Sequence, residues 1–217
     1  MGPIIRLTTS MKKNIRHIYR YFFMKNYKLR SMVAHHESGH AVLGHIFGHL
    51  VAEININFDL DKGVPAYCLK QYRSDTLINN AFENNQPSDL NAIPQATVEL
   101  AAKRYCCSLL AGPIAEEFHQ RGINSIEPIH IQNTHDFRLC FQTVNILNGL
   151  YGNNYSTFIA DNSNLASFLL KEEQIWSTVA MLSEELLNSK KLKIDQTKIY
   201  EIFKIGGIDN YKANVGR

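Results

Sequence analysis

Hydrophobic and polar positions repeat with two different periods in the first third of the chain. Between residues 11 and 30, apolar side chains recur at helical spacing, with basic side chains between them. A second helix is predicted to begin after Ser31, a candidate N-cap, and to end at Gly48. From there the period changes to two, which predicts a β-hairpin over residues 51–69 with Gly63 in its turn.

The rest of the chain is predicted to be helical, apart from a long polar segment at residues 71–95. That segment is rich in Asn, Asp and Pro, and it indicates a surface loop, a candidate lid, with one short helix near residues 77–82. Further helices are expected at residues 96–110, 114–120, 164–189 and 195–203. Gly112-Pro113 is expected to break the first of these from the second. Another helix is expected to begin at Asn133 or Thr134 and to end at Gly149. The fold class is therefore mainly α, with one small hairpin or sheet.

Charged residues are unevenly distributed along the chain. The formal net charge is only +3, but the first 30 residues hold eight Lys or Arg and no acidic residue. We therefore predict a basic N-terminal leader or helix at 1–30, one domain at 31–205 and a tail at 206–217. The leader fits an anchor on an anionic membrane surface, a targeting segment or a first helix packed on the domain, and a nucleic-acid arm is the least favoured alternative.

Hydropathy and cysteine content indicate a cytoplasmic protein. No run approaches the roughly 20 apolar residues needed to cross a bilayer, and no signal-peptide pattern is present. Peripheral membrane association through the basic leader is the alternative. The four cysteines fit neither a disulfide framework nor a CxxC metal site, so we expect core residues in a reducing compartment. They are Cys68, Cys106, Cys107 and Cys140.

The strongest candidate for a functional site is the run His36-Glu37-Ser38-Gly39-His40. On a helix the two imidazoles lie one turn apart on the same face, where both can bind one zinc ion. Glu37 then lies beside the metal, placed to accept a proton from a zinc-bound water. The alternative is a His-rich helix whose imidazoles are buried and hydrogen-bonded without a metal.

A catalytic zinc needs a third protein ligand, and the sequence offers several. The metzincin pattern is excluded, because Leu43 and Ile46 occupy the positions that would need glycine and histidine. Glu116 or Glu117 could serve from a helix, either as a ligand or as a group that orients a ligand histidine. Asp136, in the first turn of a later helix, is the remaining strong candidate.

The predicted hairpin also has two possible roles. An exposed strand beside a zinc site can hold an extended peptide by β-addition, with Ile54 and Ile56 as candidate substrate-binding residues. Alternatively, the hairpin only covers the core.

Three spaced motifs resemble the FtsH-type zinc peptidases, the protease half of membrane-anchored AAA+ proteases. The zinc motif around His36 is followed by a Leu-Ala-Gly-Pro-Ile-Ala-Glu-Glu segment ending at Glu117, and by Asn-Thr-His-Asp-Phe around Asp136. The resemblance spans roughly residues 33–203. It implies that His36, His40 and Asp136 bind zinc, that Glu37 is the general base, and that Glu117 supports the site.

Two departures from the family pattern affect the expected site. Proline replaces the family's arginine at Pro113, and Thr134-His135 stands where the family has Ser-Asn, which makes His135 an alternative ligand.

The resemblance implies a zinc metalloendopeptidase that hydrolyses peptides or unfolded segments. Because this sequence carries no AAA+ module, we expect an ATP-independent enzyme, and assembly into a homo-oligomer is possible by analogy with the family's hexamers. The alternative is a proteolytically inactive zinc-containing module that binds peptides or proteins.

Overall fold

The protein is described from a computed structural model that covers residues 9–57, 66–71, 76–123 and 134–211. Its helices are α1 (Thr9–Ile46), α2 (Thr76–Glu83), α3 (Gln95–Arg121), α4 (His135–Tyr151), α5 (Phe158–Lys171), α6 (Glu173–Asn188) and α7 (Gln196–Gly206). Its strands are β1 (Leu50–Asn55), β2 (Tyr67–Gln71) and β3 (Lys193–Asp195). The prediction of a mainly α fold with a small β element is confirmed.

Helix α1 is one continuous helix of 38 residues, so the prediction of two successive helices is wrong. Ser31 is not an N-cap. It lies inside the helix and is buried, and its hydroxyl shares a 2.8 Å hydrogen bond with His119 Nε2 of α3. A serine that finds a tertiary partner need not cap a helix, and α1 runs without interruption through residue 30.

The end of α1 lies where the sequence predicts it. Gly48 adopts a left-handed φ of 91°, and its N–H donates to the His45 carbonyl at 3.0 Å. The N–H of His49 donates to the Gly44 carbonyl at 2.8 Å. These two bonds form a Schellman motif, which satisfies the last carbonyls of the helix and turns the chain into β1.

Helices α1 and α3 cross in very close contact. A Cβ atom added at Gly39 would lie 2.5 Å from the Ala111 carbonyl oxygen and 2.7 Å from the Ala115 Cβ. A Cβ at Gly112 would collide with the His40 imidazole. Small residues on both helices therefore bring the two backbones together beneath the histidines of α1.

The break predicted at Gly112-Pro113 is wrong, because α3 continues through Pro113 to Arg121. Proline removes the N–H that would bond to the carbonyl of Leu109, which costs helix stability. Residues 105–115 are all buried against neighbouring elements, however. Burial along this length outweighs the lost hydrogen bond.

The three strands form an antiparallel sheet in the order β2-β1-β3. The predicted hairpin is confirmed as β1 and β2, although its turn at Gly63 lies outside the described residues, and β3 was not predicted. Ile54 pairs with both Cys68 of β2 and Ile194 of β3, so β1 is the central strand. Ile54 and Ile56 are completely buried. The prediction that they bind substrate is therefore wrong, since their side chains belong to the core.

The predicted loop at residues 71–95 is partly structured. Its short helix is confirmed as α2, and a 3₁₀ turn follows at Pro87–Leu90. Phe82 and Leu90 are completely buried, so this part of the segment packs into the core. Residues 72–75 lie outside the described residues, and the lid stays a prediction.

The C-terminal helices differ from their predicted bounds. The Thr134 hydroxyl caps α4 by accepting from the Phe137 N–H, as predicted, but α4 ends at Gly152 and not at Gly149. The helix expected at 164–189 is two helices, because Glu172 is extended and separates α5 from α6. Asp195 caps α7 through the Lys198 N–H, close to the predicted start.

Contacts with the rest of the chain continue past residue 206, where the tail is predicted to begin. Ile208 is completely buried, and Asp209 accepts a 2.8 Å hydrogen bond from His45 Nε2 of α1.

All four cysteines are free and pack in or against the core, as predicted. Among the described residues, no helix is both long and apolar enough to span a membrane.

We predict that Gly39→Ala destabilises the metal-free protein by about 1–3 kcal/mol, because its methyl group would push α1 and α3 apart. The matched control is Gly149→Ala in α4, where an added Cβ meets nothing within 4 Å. This control should be neutral or stabilising, by up to about 1 kcal/mol. Urea unfolding of chelator-treated protein measures both changes. Equal stabilities for the two variants would contradict the close crossing.

Candidate metal site

Three side chains converge where α1 crosses α3. His36 and His40 come from α1, and Asp136 comes from α4. His36 Nε2 and His40 Nε2 are 3.1 Å apart. Asp136 Oδ2 lies 3.4 Å from the first of these nitrogens, and Asp136 Oδ1 lies 3.6 Å from the second. Among the described residues this is the one group of three or more such side chains that could hold a metal ion.

The spacing of the three side chains fits a single small cation. Ligand atoms about 2.0–2.1 Å from a tetrahedral zinc ion lie about 3.3 Å from one another. The observed separations of 3.1, 3.4 and 3.6 Å bracket that value. The geometry therefore matches a metal site with three protein ligands.

The second nitrogen of each histidine is held by α3. His36 Nδ1 donates to Glu116 Oε2 at 3.2 Å, and His40 Nδ1 donates to the Ser108 carbonyl at 2.8 Å. Each bond fixes a proton on Nδ1 and aims the lone pair of Nε2 at the other imidazole and at Asp136. Two lone pairs 3.1 Å apart require a cation between them, either a proton or a metal ion.

The electrostatics of the three groups lead to the same conclusion. Burial by itself would raise the pKa of Asp136, but His40 and His36 hold that pKa below its usual range. Burial likewise lowers the pKa of His36, but the hydrogen bonds to Asp136 and Glu116 outweigh it and raise the pKa to about 10. The site therefore holds positive charge firmly, and a metal ion would displace the proton on His36.

Glu37 lies in the same turn of α1 but outside the ligand group. Its side chain is buried, and burial raises its pKa, although His40 and His36 partly oppose the increase. A carboxylate with a raised pKa is a better proton acceptor than one in water. Glu37 is thus a buried carboxylate beside the ligand group that accepts a proton more readily than a carboxylate in water does.

A cavity of about 890 Å³ opens onto this group. His36, Glu37, His40 and Asp136 line it. Residues Ala66–Lys70, which include most of β2, and residues of α2 line it as well. Among the described residues, the group therefore lies at a cavity large enough for a short peptide segment.

The other predicted site residues differ in whether they contact the ligand group. Glu116, and not Glu117, contacts a ligand histidine. Glu117 forms a 3.0 Å ion pair with Arg121 of the same helix, and the supporting role assigned to it stays a prediction. His135 is exposed and lines the cavity, but it lies outside the ligand group.

Sequence reasoning missed Ser108, because a backbone carbonyl can come from any residue and leaves no signature. It also missed the role of Gly112. A glycine in an otherwise good helix was the available signal for the close approach to His40.

No protein-family model matches this chain, and a search of curated proteins finds no relative.

We predict that Asp136→Ala abolishes stoichiometric metal binding, because two imidazoles alone leave the site one ligand short. His135→Ala, the adjacent exposed residue, should bind metal as the wild type does. Metal content after dialysis measures both. Loss of metal from the His135 variant, with retention in the Asp136 variant, would reverse the assignment.

Glu116→Ala should lower metal affinity about 10–100-fold, because it removes the acceptor that orients His36. Glu117→Ala is the matched control, since its carboxylate is directed to Arg121. A competition titration against a chromophoric zinc chelator measures both affinities. Equal losses of metal affinity in the Glu116 and Glu117 variants would show that the effect does not depend on the hydrogen bond with His36.

Proposed function

We propose that this protein is an FtsH-like zinc metalloendopeptidase that hydrolyses peptides or unfolded segments without a requirement for ATP. The single observation that supports this most strongly is the convergence of His36, His40 and Asp136 beside Glu37 at a cavity. The three ligand atoms come from a His-Glu-x-x-His turn and a distant helix. That combination is typical of a catalytic zinc site with one open position.

The donor set favours zinc. Two imidazole nitrogens and one carboxylate oxygen suit an ion of intermediate softness that accepts four ligands in a tetrahedron. When bound, zinc would supply a Lewis acid that polarises the scissile carbonyl and makes a water molecule more acidic.

Residues of the chain carry out proton transfer and hold the ligands in position. Glu37 takes the proton from the attacking water and passes it to the leaving amine, a role that its raised pKa supports. Glu116 and the Ser108 carbonyl keep both ligand imidazoles in the Nδ1–H form. Asp136 supplies the third ligand and offsets the positive charge of the site.

The cavity wall suggests how a substrate is held. Strand β2 lines the cavity and, within the part of the chain that the structure describes, pairs with another strand on one side only. An extended peptide can add to such an edge through main-chain hydrogen bonds, which favours peptides and unfolded segments over folded domains.

Replacing Glu37 with glutamine should leave one zinc per chain in place and reduce peptide hydrolysis at least about 100-fold, because the proton acceptor is lost while the ligands remain. Glu184→Gln, on the exposed face of α6, is the matched control and should cleave as the wild type does. Metal analysis and digestion of a casein-derived peptide library measure the two properties.

Two outcomes of that experiment would contradict the proposal. Unchanged cleavage by the Glu37 variant would remove this residue from its catalytic role. A wild-type protein that binds one zinc but shows no chelator-sensitive cleavage would instead favour the inactive module that binds peptides or proteins.

A further inference from the structure

Lys70 occupies an unusual position on the inward face of the sheet. It lies opposite Val51 of β1, whose side chain is completely buried. Its side chain then passes over α1 at Gly44, where an added Cβ would lie 3.1 Å from the Lys70 Cδ. The chain therefore leaves room for a lysine at a sheet position that would ordinarily carry an apolar residue.

The described partner of this ammonium group is neutral. Lys70 Nζ donates to the Ser108 hydroxyl at 2.8 Å. The ion pairs found among the described residues do not include Lys70. A partly buried lysine ordinarily needs a counter-charge, because desolvation without one is unfavourable. Two N–H bonds of the ammonium group have no partner among the described contacts, and Lys70 lines the cavity.

Among the described residues, the charged side chains that line the cavity are Lys70 and the carboxylates of Glu37, Glu83 and Asp136. A bound dication would be balanced by Asp136 and Glu37. Glu83 of α2 adds a further carboxylate to the lining, but it has an interaction of its own. Behind the cavity wall, burial lowers the pKa of His49 to about 3, and Lys70 and Arg104 both act in the same direction. Lys70 is the one Lys or Arg among the described residues that line the cavity, so it is the cationic side chain of that lining that an anionic substrate group would meet.

Ser108 connects Lys70 to the metal site. Its hydroxyl accepts from Lys70, and its carbonyl accepts from His40 Nδ1. The charge of Lys70 also reaches Glu37, whose pKa it lowers slightly against the larger effect of burial. A group bound by Lys70 would therefore lie close to the proposed general base and to the ligand His40.

We propose that Lys70 forms an anion-binding subsite in the cavity and selects peptides that present a carboxylate next to the scissile bond. The inference rests on the proposed peptidase function and adds a substrate class to it. That carboxylate belongs either to an acidic side chain or to the C-terminus of the substrate. Both sources offer the same charge-assisted hydrogen bond to the ammonium group.

The test compares matched peptides cleaved by the zinc-loaded full chain. One set carries Glu or Gln at each position that flanks a mapped cleavage site, and a second set ends in a free carboxylate or a carboxamide. The wild type should favour one of the carboxylate forms about tenfold in kcat/KM, as one charge-assisted hydrogen bond in a partly exposed cavity allows. The two sets distinguish an acidic side chain from a C-terminus.

Substitutions at Lys70 then test whether this residue causes the preference for the carboxylate peptides. Lys70→Met keeps the approximate length of the side chain and should bring the kcat/KM ratio of carboxylate to neutral peptide to about one. Lys70→Arg should retain the preference for the carboxylate peptide, and Lys70→Glu should invert it. Ser108→Ala removes only the neutral partner and should leave the ratio intact. If Lys70→Met lowers zinc affinity and slows both members of each pair equally, Lys70 instead positions His40, and the subsite is overturned.

A binding measurement separates failure of the subsite from failure of the peptidase proposal. Peptide hydroxamates carrying Glu or Gln are titrated into zinc-loaded Glu37→Gln protein, which requires no turnover. A tenfold preference that Lys70→Met abolishes would support the subsite, even if the wild type cleaves nothing and the peptidase proposal fails. No preference in either assay would overturn the subsite, whatever the outcome for catalysis.

Discussion

The close crossing of α1 and α3 is the constraint on which the rest of the structure depends. Gly39 and Gly112 let the two backbones approach until α3 lies directly beneath the ligand imidazoles. Only at that distance can Glu116 and the Ser108 carbonyl of α3 reach the Nδ1 atoms of His36 and His40. The packing of two helices thus sets the orientation of the metal ligands. This contact also explains why α3 remains continuous through Pro113, since its buried surface outweighs a missing hydrogen bond.

Much of the site could be predicted from the sequence, because its main signals are local or chemically specific. The i, i+4 spacing of His36 and His40 requires only that the segment be helical, and Asp136 follows a helix cap. The supporting contacts were harder to predict. Glu116 and Glu117 are adjacent, and only the rotation of α3 against α1 decides that the first faces His36. The second pairs with Arg121 of its own helix.

The errors in the predicted fold share one physical origin, the dominance of tertiary packing over local preference. Ser31 is a good N-cap in isolation, but here it lies within a helix and contacts His119. Alternation around Ile54 correctly indicated a strand but did not reveal which edges are paired, because β3 comes from a distant part of the chain. Glycine signals succeeded where a left-handed φ was required, as at Gly48, and failed at Gly149, where the helix tolerates glycine.

The origin of the ligands has a thermodynamic consequence. His40 and Asp136 are roughly 100 residues apart in sequence, so an ion held between them acts as a reversible cross-link across a long loop. A covalent bridge over such a span removes about 5 kcal/mol of chain entropy from the unfolded state in simple loop-closure models. A metal ion stabilises the fold only while its free concentration keeps the site filled. For a chain that takes up a metal ion at this site, the stability of the fold would thereby depend on the supply of metal in its surroundings.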